Sequence, residues 1–217
     1  MLRAARSDPS AILLAVQLAG VLIYPFAEDT HAGRALFSLL GVVILILVVL
    51  TVRRSPALTW VSILLGIPAV ILLLIQAITG NDDLLPYSSA FEAVIYFYAA
   101  GAMIAYMLGD HEITRDELFA IGATFTLLAW AFAYAYIVCQ AIEPGSFSAT
   151  NHTGGERSWM ELLFMSFTTL SSVGLSDITP VKPFARGLVM VEMVGGLAYV
   201  AMLVSRIVGL SVFRRSA

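Results

Sequence analysis

Apolar residues along this chain gather into long runs separated by short polar breaks. Five runs come near the roughly 20 residues that a bilayer span requires: Ala11–Phe26, Ala35–Val52, Ala57–Thr79, Phe91–Leu108 and Leu118–Ala141. A sixth, Phe184–Phe213, is longer and contains Glu192 and Arg206. Between the last two lies Trp159–Leu170, which as a helix is only about 18 Å long and cannot cross. The pattern predicts an all-α membrane protein: six transmembrane helices plus one short re-entrant helix.

Helix-entry chemistry sits at the starts of these runs. Asp8-Pro9 and Ser55-Pro56 place a capping side chain before a proline at the first helical position. Ser89 with Glu92, Thr114 with Glu117, and Ser158 with Glu161 have the capping-box spacing. The last pair sets the start of the short helix at Trp159 and gives Glu161 a structural role.

Composition agrees with a lipid environment. Of 217 residues, 59% are hydrophobic and 12% charged, against about a quarter charged in soluble domains. Mean hydropathy is +0.90. A net charge of −3 gives no reason to expect nucleic acid as a partner. The single cysteine, Cys139, lies in an apolar run and reads as a buried small residue, so one chain holds neither a disulfide nor a cysteine metal site. Arg3 and Arg6 before the first run are compatible with a secretory signal, but no clean cleavage site follows, and the run reads as a retained helix. Arginines and lysines in short loops favour both termini on the cytoplasmic side. Asp110, His111 and Glu112 read as a solvated turn, and a metal site there would need further ligands that the sequence does not show. Asn151 fits a glycosylation sequon of low specificity. His31 and His152 read as surface residues. There is no catalytic constellation, so an enzyme is the least favoured class, and no cofactor is implied.

The informative stretch follows the short helix: Ser171-Ser172-Val173-Gly174-Leu175-Ser176-Asp177, then Ile178-Thr179-Pro180. Irregular backbone at membrane depth is tolerated where it lines a water-filled cavity. A half-crossing helix, a glycine-bearing turn and a full helix therefore read as a pore loop. This order resembles the two-helix pore module of bacterial-type tetrameric potassium channels, whose filter reads roughly T-T-V-G-Y-G-D. The resemblance spans about Leu118 to Phe213. It implies an outer helix at 118–141, a pore helix at 159–170, a filter at 171–177 and an inner helix at 184–213. It also implies a homotetramer in a cell membrane, with K+ as the permeant ion held by rings of backbone carbonyls. Asp177 matches the family's acidic residue just outside the filter, where it would concentrate cations. Gly195 and Gly196 stand where that inner helix has its hinge.

Two positions depart from the pattern. Leu175 replaces the family's tyrosine and lacks its hydroxyl. Ser176 replaces the second glycine, and a left-handed backbone there would cost roughly 1–2 kcal/mol. A changed backbone at Ser176 would leave Ser172, Val173 and Gly174 to form inner rings, and fewer rings imply weaker discrimination of K+ from Na+. The Val-Gly-Leu-Ser sequence is also similar to pore loops of Trk/Ktr-type transporters, which carry four such repeats in one chain. Glu192, an acid within a span, needs a partner or water. Its expected place is the protein interior behind the filter, meeting Ser166 or Thr168. Arg206 is expected to snorkel to the interface.

Residues 1–110 form a four-helix region whose fourth span has no arginine or lysine, which argues against voltage sensing. Residues 111–217 form the pore domain. The sequence leaves three readings: a potassium channel of reduced selectivity, a non-selective monovalent cation channel, and a non-conducting channel-like scaffold or regulatory subunit.

Overall fold

A computed structural model describes residues 9–27, 40–48, 50, 59–79, 84–109, 114–149 and 155–216. In chain order these form α1 (Pro9–Ala27), α2 (40–48), α3 (Thr59–Thr79), α4 (Leu85–Leu108), α5 (Arg115–Ile142), β1 (Phe147–Ala149), α6 (Trp159–Leu170), β2 (Ile178–Pro180) and α7 (Pro183–Ser216). Among the described residues, α1, α4, α5 and α7 are long and apolar enough to cross a membrane, where the sequence predicts six spans. The predicted second span is described only in part, as α2, and α3 contains a shorter apolar stretch, Trp60–Gln76.

The fourth span starts earlier than the sequence predicts. Its helix begins at Leu85, with a proline in the first turn, rather than at Phe91. Pro86 lacks the N–H that would be orphaned there and brings a helical φ with it. Ser89 and Glu92 therefore lie inside the helix and are buried, not part of a capping box. At α5 and α6 the caps do form. The Thr114 side chain accepts from the Glu117 N–H at 3.2 Å. The Ser158 N–H donates to Glu161 Oε2 at 2.7 Å, and the Glu161 N–H donates to Ser158 Oγ at 3.3 Å.

Helix α5 is the hub, packing against α1, α4, α6 and α7. Its sequence explains this. Ala120, Ala123, Ala129, Ala131 and Ala133 are all fully buried, and small residues let helices approach closely. A Cβ on Gly122 would come within 2.8 Å of Leu14 on α1. The carboxylate of Asp116, in the first turn of α5, accepts from the N–H and the hydroxyl of Ser10, each at 3.0 Å, and so caps the start of α1.

Contacts along α5 fix the relative directions. Helix α1 meets α5 through Ser10 at Asp116, Leu14 at Gly122 and Gly20 at Trp130, so the two run parallel. Helix α7 meets it in reverse order: Glu192 at Tyr136, Tyr199 at Ile121, Arg206 at Glu117. Helix α4 is likewise antiparallel, with Tyr96 beside Trp130 and Met107 near Glu117. The start of α1 and the end of α7 thus lie on one side.

The loop expected between α5 and α6 contains β1, which pairs antiparallel with β2: Phe147 opposite Pro180, Ser148 opposite Thr179, Ala149 opposite Ile178. The Val181 N–H extends the ladder to the Ser146 carbonyl at 2.8 Å. This ribbon ties the segment leaving the Ser171–Asp177 loop to the end of α5. Asp110, His111, Glu112, Asn151, His152 and His31 lie outside the described residues.

Candidate functional site

The start of α6 is held from three directions. The Gln140 side chain on α5 treats residue 157 as a strand partner, donating to the Arg157 carbonyl at 2.8 Å and accepting from its N–H at 3.0 Å. Trp159, the first residue of α6, lies against Tyr24 of α1 and against Trp130 and Tyr134 of α5, with ring centroids 5.1, 5.0 and 5.9 Å away. Tyr96 of α4 stacks on Tyr134 at 5.6 Å, and Glu92 is hydrogen-bonded to Tyr134. Arg157 also pairs with Glu161 at 3.8 Å. From there α6 descends along α5, reaching Ala129 with Ser166 and Phe125 with Phe167.

Helix α6 ends in a Schellman motif. With Ser171 as C-cap, the Ser172 N–H donates to the Thr169 carbonyl at 3.0 Å and the Val173 N–H to the Thr168 carbonyl at 2.9 Å. The left-handed position, usually glycine, is filled by Ser172 at φ +61°. Gly174 is left-handed too, at φ +70°, and its N–H converges on the same Thr168 carbonyl at 3.0 Å. These N–H groups all turn back toward the end of α6. Among the described residues, no donor is bonded to the carbonyls of Ser171 to Ser176.

The left-handed alternation stops before Ser176. Among the described residues, Ser172 is the one non-glycine with positive φ. The Ser176 hydroxyl accepts from the Ile178 N–H at 3.0 Å, closing a turn into β2. The serine therefore avoids the strained backbone that a glycine would tolerate, and the strain stands at Ser172 instead. Ser171 through Leu175 and Asp177 form one exposed face, with Val173 59% and Leu175 74% exposed, so this loop is not sealed inside a single chain.

Helix α7 backs this loop along a single narrow stripe. Ala185, Val189, Glu192, Gly196, Tyr199 and Leu203 are buried, a spacing of three and four residues, while most of the rest of the helix is open. Only 22% of its apolar span is buried, against 61% for α5. Polar anchors recur every seventh residue. Glu192 is fully buried and is hydrogen-bonded to Ser166 of α6 and Tyr136 of α5. The Tyr199 hydroxyl donates to the Ile121 carbonyl at 2.7 Å. Arg206 pairs with Glu117 at 3.3 Å. The Arg206 side chain is 12% exposed, and its partner Glu117 lies in the first turn of α5, at that end of the bundle.

The adjacent glycines Gly195 and Gly196 of α7 differ. A Cβ on Gly195 would meet nothing within 4 Å, whereas one on Gly196 would lie 2.2 Å from the Leu170 carbonyl oxygen. Gly196 is where the end of α6 rests on α7. The helix runs unbroken through both.

Residues 121–211 match the family model described as ion channel. The matched stretch takes in α5 from its second turn, the β ribbon, α6, the exposed loop and most of α7. The match supports an ion channel of the two-helix pore type in a membrane-embedded, mainly helical protein. No curated protein and no solved structure matches the chain.

The structure brings Ser171 to Asp177, Glu192 and Gly196 to one region around the end of α6, with Gly195 on the open side of α7. Sequence reasoning missed Gln140, Tyr136 and the β ribbon. Gln140 carried a usable signal, a polar residue in the last turn of an apolar run. Tyr136 carried none, because its hydroxyl acquires meaning only opposite Glu192.

Proposed function

We propose that four copies of this chain form a cation channel whose filter is the Ser171–Asp177 loop, conducting K+ with reduced discrimination against Na+. The observation that carries the reading is the direction of the loop's backbone. N–H groups at Ser172, Val173 and Gly174 are spent on α6, and the carbonyls of Ser171 to Ser176 are left for something else. Water or a cation on the open face is the natural recipient, since a dehydrated cation needs oxygen ligands in place of its hydration shell. One chain supplies one such arc, so a closed ring of copies is needed to surround an ion. The narrow attachment of α7 agrees with this, since its open faces remain to meet neighbours and a pore.

Helix α6 descends from the level of Gln140 to that of Phe125, and the chain then returns to β2 beside β1. We read this as entry and exit on one side of the bilayer. The loop arginines and lysines favour that side as the outside of the cell, with both termini in the cytoplasm. Reduced selectivity follows from Ser176: with alternation ending at Gly174, the outer ring that a second glycine would supply is re-aimed. Asp177, exposed beyond the filter, draws cations toward its mouth.

Reconstitution into liposomes with opposed K+ and Na+ gradients tests the reading. A reversal potential between zero and the K+ equilibrium value is expected. A value near zero selects the non-selective channel, and absence of flux selects the scaffold.

A further inference from the structure

We infer that Glu192 works as a neutral carboxylic acid, donating a hydrogen bond to Ser166 and accepting one from Tyr136, and so positions the pore helix α6 between α5 and α7. This rests on the reading of the Ser171–Asp177 loop as the filter. The argument is a count of protons. Ser166 Oγ lies 2.9 Å from the Ala129 carbonyl oxygen and is also bonded to Glu192 Oε1. A hydroxyl has one proton, and a carbonyl has none. The Ser166 proton therefore serves Ala129, and the proton between Ser166 and Glu192 belongs to Glu192. Tyr136 supplies its own proton to Oε2. The result is a directional chain from Tyr136 to Glu192 to Ser166 to the Ala129 carbonyl, with each proton used once.

An ionised Glu192 breaks this count. Ser166 would have to turn its proton toward the carboxylate, leaving two oxygens facing each other at 2.9 Å with no hydrogen between them. The negative charge would also stand fully buried without a cation. Among the described residues, no lysine, arginine or histidine pairs with Glu192. Buried charges without partners are costly, and neutral acids with complete hydrogen bonding are not. The groups facing it are Tyr136 on α5, with Cys139 beside Tyr136, and Ser166 on α6. One turn further along α7, Gly196 meets the Leu170 carbonyl at the end of α6. A single turn of α7 thus fixes α6 at its middle and at its junction with the filter loop.

Glu192→Gln keeps one donor and one acceptor in the same volume, and Glu192→Leu keeps the volume alone. Infrared spectroscopy of the purified protein should show a protonated-carboxyl band that is lost in Glu192→Gln and kept in Glu92→Gln. In bilayer recordings Glu192→Gln should stay within about twofold of the native open probability. Glu192→Leu should lower it by roughly tenfold, the effect of losing two buried hydrogen bonds. Ser166→Ala and Tyr136→Phe should each fall between. A spectrum without a band assignable to Glu192 overturns the proposal. So does a Glu192→Gln channel as impaired as Glu192→Leu, which would mean that the charge is what matters. If the native protein passes no current, the channel reading fails, and the infrared band still decides the state of Glu192.

Discussion

Alanine at Gly196 and alanine at Gly195 should have opposite effects. At Gly196 the added methyl would sit 2.2 Å from the Leu170 carbonyl oxygen, 2.9 Å from its carbon and 3.0 Å from its Cα. All three atoms are backbone, so no rotamer change relieves the contact. Ordinary contact needs about 3.4 Å, so α7 must retreat from α6 by about 1 Å. Overpacking of this kind costs about 1–3 kcal/mol, offset by about 1 kcal/mol of helix propensity gained on replacing glycine. At Gly195 nothing stands within 4 Å of the new methyl in one chain, and only the propensity gain applies. The two variants should therefore differ by about 1–3 kcal/mol in stability. Thermal unfolding of the purified protein in detergent reads the difference as a lower Tm for Gly196→Ala. Bilayer recording should find altered conduction in the same variant, because the displaced contact lies at the root of the Ser171–Asp177 loop. Equal Tm and equal conduction in the two variants would refute the close approach of α6 and α7.

Other expectations follow from single contacts. Ser172→Gly removes a left-handed serine and should raise stability by about 1 kcal/mol in the same melts; if the Ser172 hydroxyl is an ion ligand, K+ should protect the variant less against heat than it protects the native protein. Arg206→Met strips the buried Glu117 of its ion pair and should cost about 2–3 kcal/mol, with much of the loss recovered when Glu117→Leu is added; a double variant no better than the single one would contradict a paired, buried site. Leu175→Tyr combined with Ser176→Gly should move the reversal potential toward the K+ equilibrium value, and no shift would mean that the outer residues do not set selectivity.

The long apolar runs were legible because lipid demands length and hydropathy together, and α1, α5 and α7 follow them closely. The caps at Thr114 and Ser158 were legible because their chemistry is local. The capping box at Ser89 failed for a reason outside the motif. Pro86 starts the helix earlier, and Glu92 turns to Tyr134 across the α4–α5 interface. Strands of three residues leave no periodicity to read, and β1 and β2 are brought together by α6, which lies between them in the chain. The composition of the filter-like loop was visible. Its backbone was not: nothing in a serine announces φ +61°, and the left-handed position becomes apparent only from the Schellman bonds at the end of α6. The partner of Arg206 was not legible because Glu117 is distant in sequence. The expectation that Glu192 meets Ser166 agrees with the structure, since an acid in a span must find a polar neighbour and few are in reach.

The central claim is that main-chain oxygens of this loop, from several copies, hold a dehydrated cation. Density maps of the purified protein in K+ and in a heavier, scattering surrogate such as Tl+ test it directly. The account predicts a four-fold axis with ion peaks on it, level with Ser172, Val173 and Gly174. Maps that place Val173 and Gly174 against lipid or packed protein, away from any symmetry axis and with no ion density near their carbonyls, would contradict it.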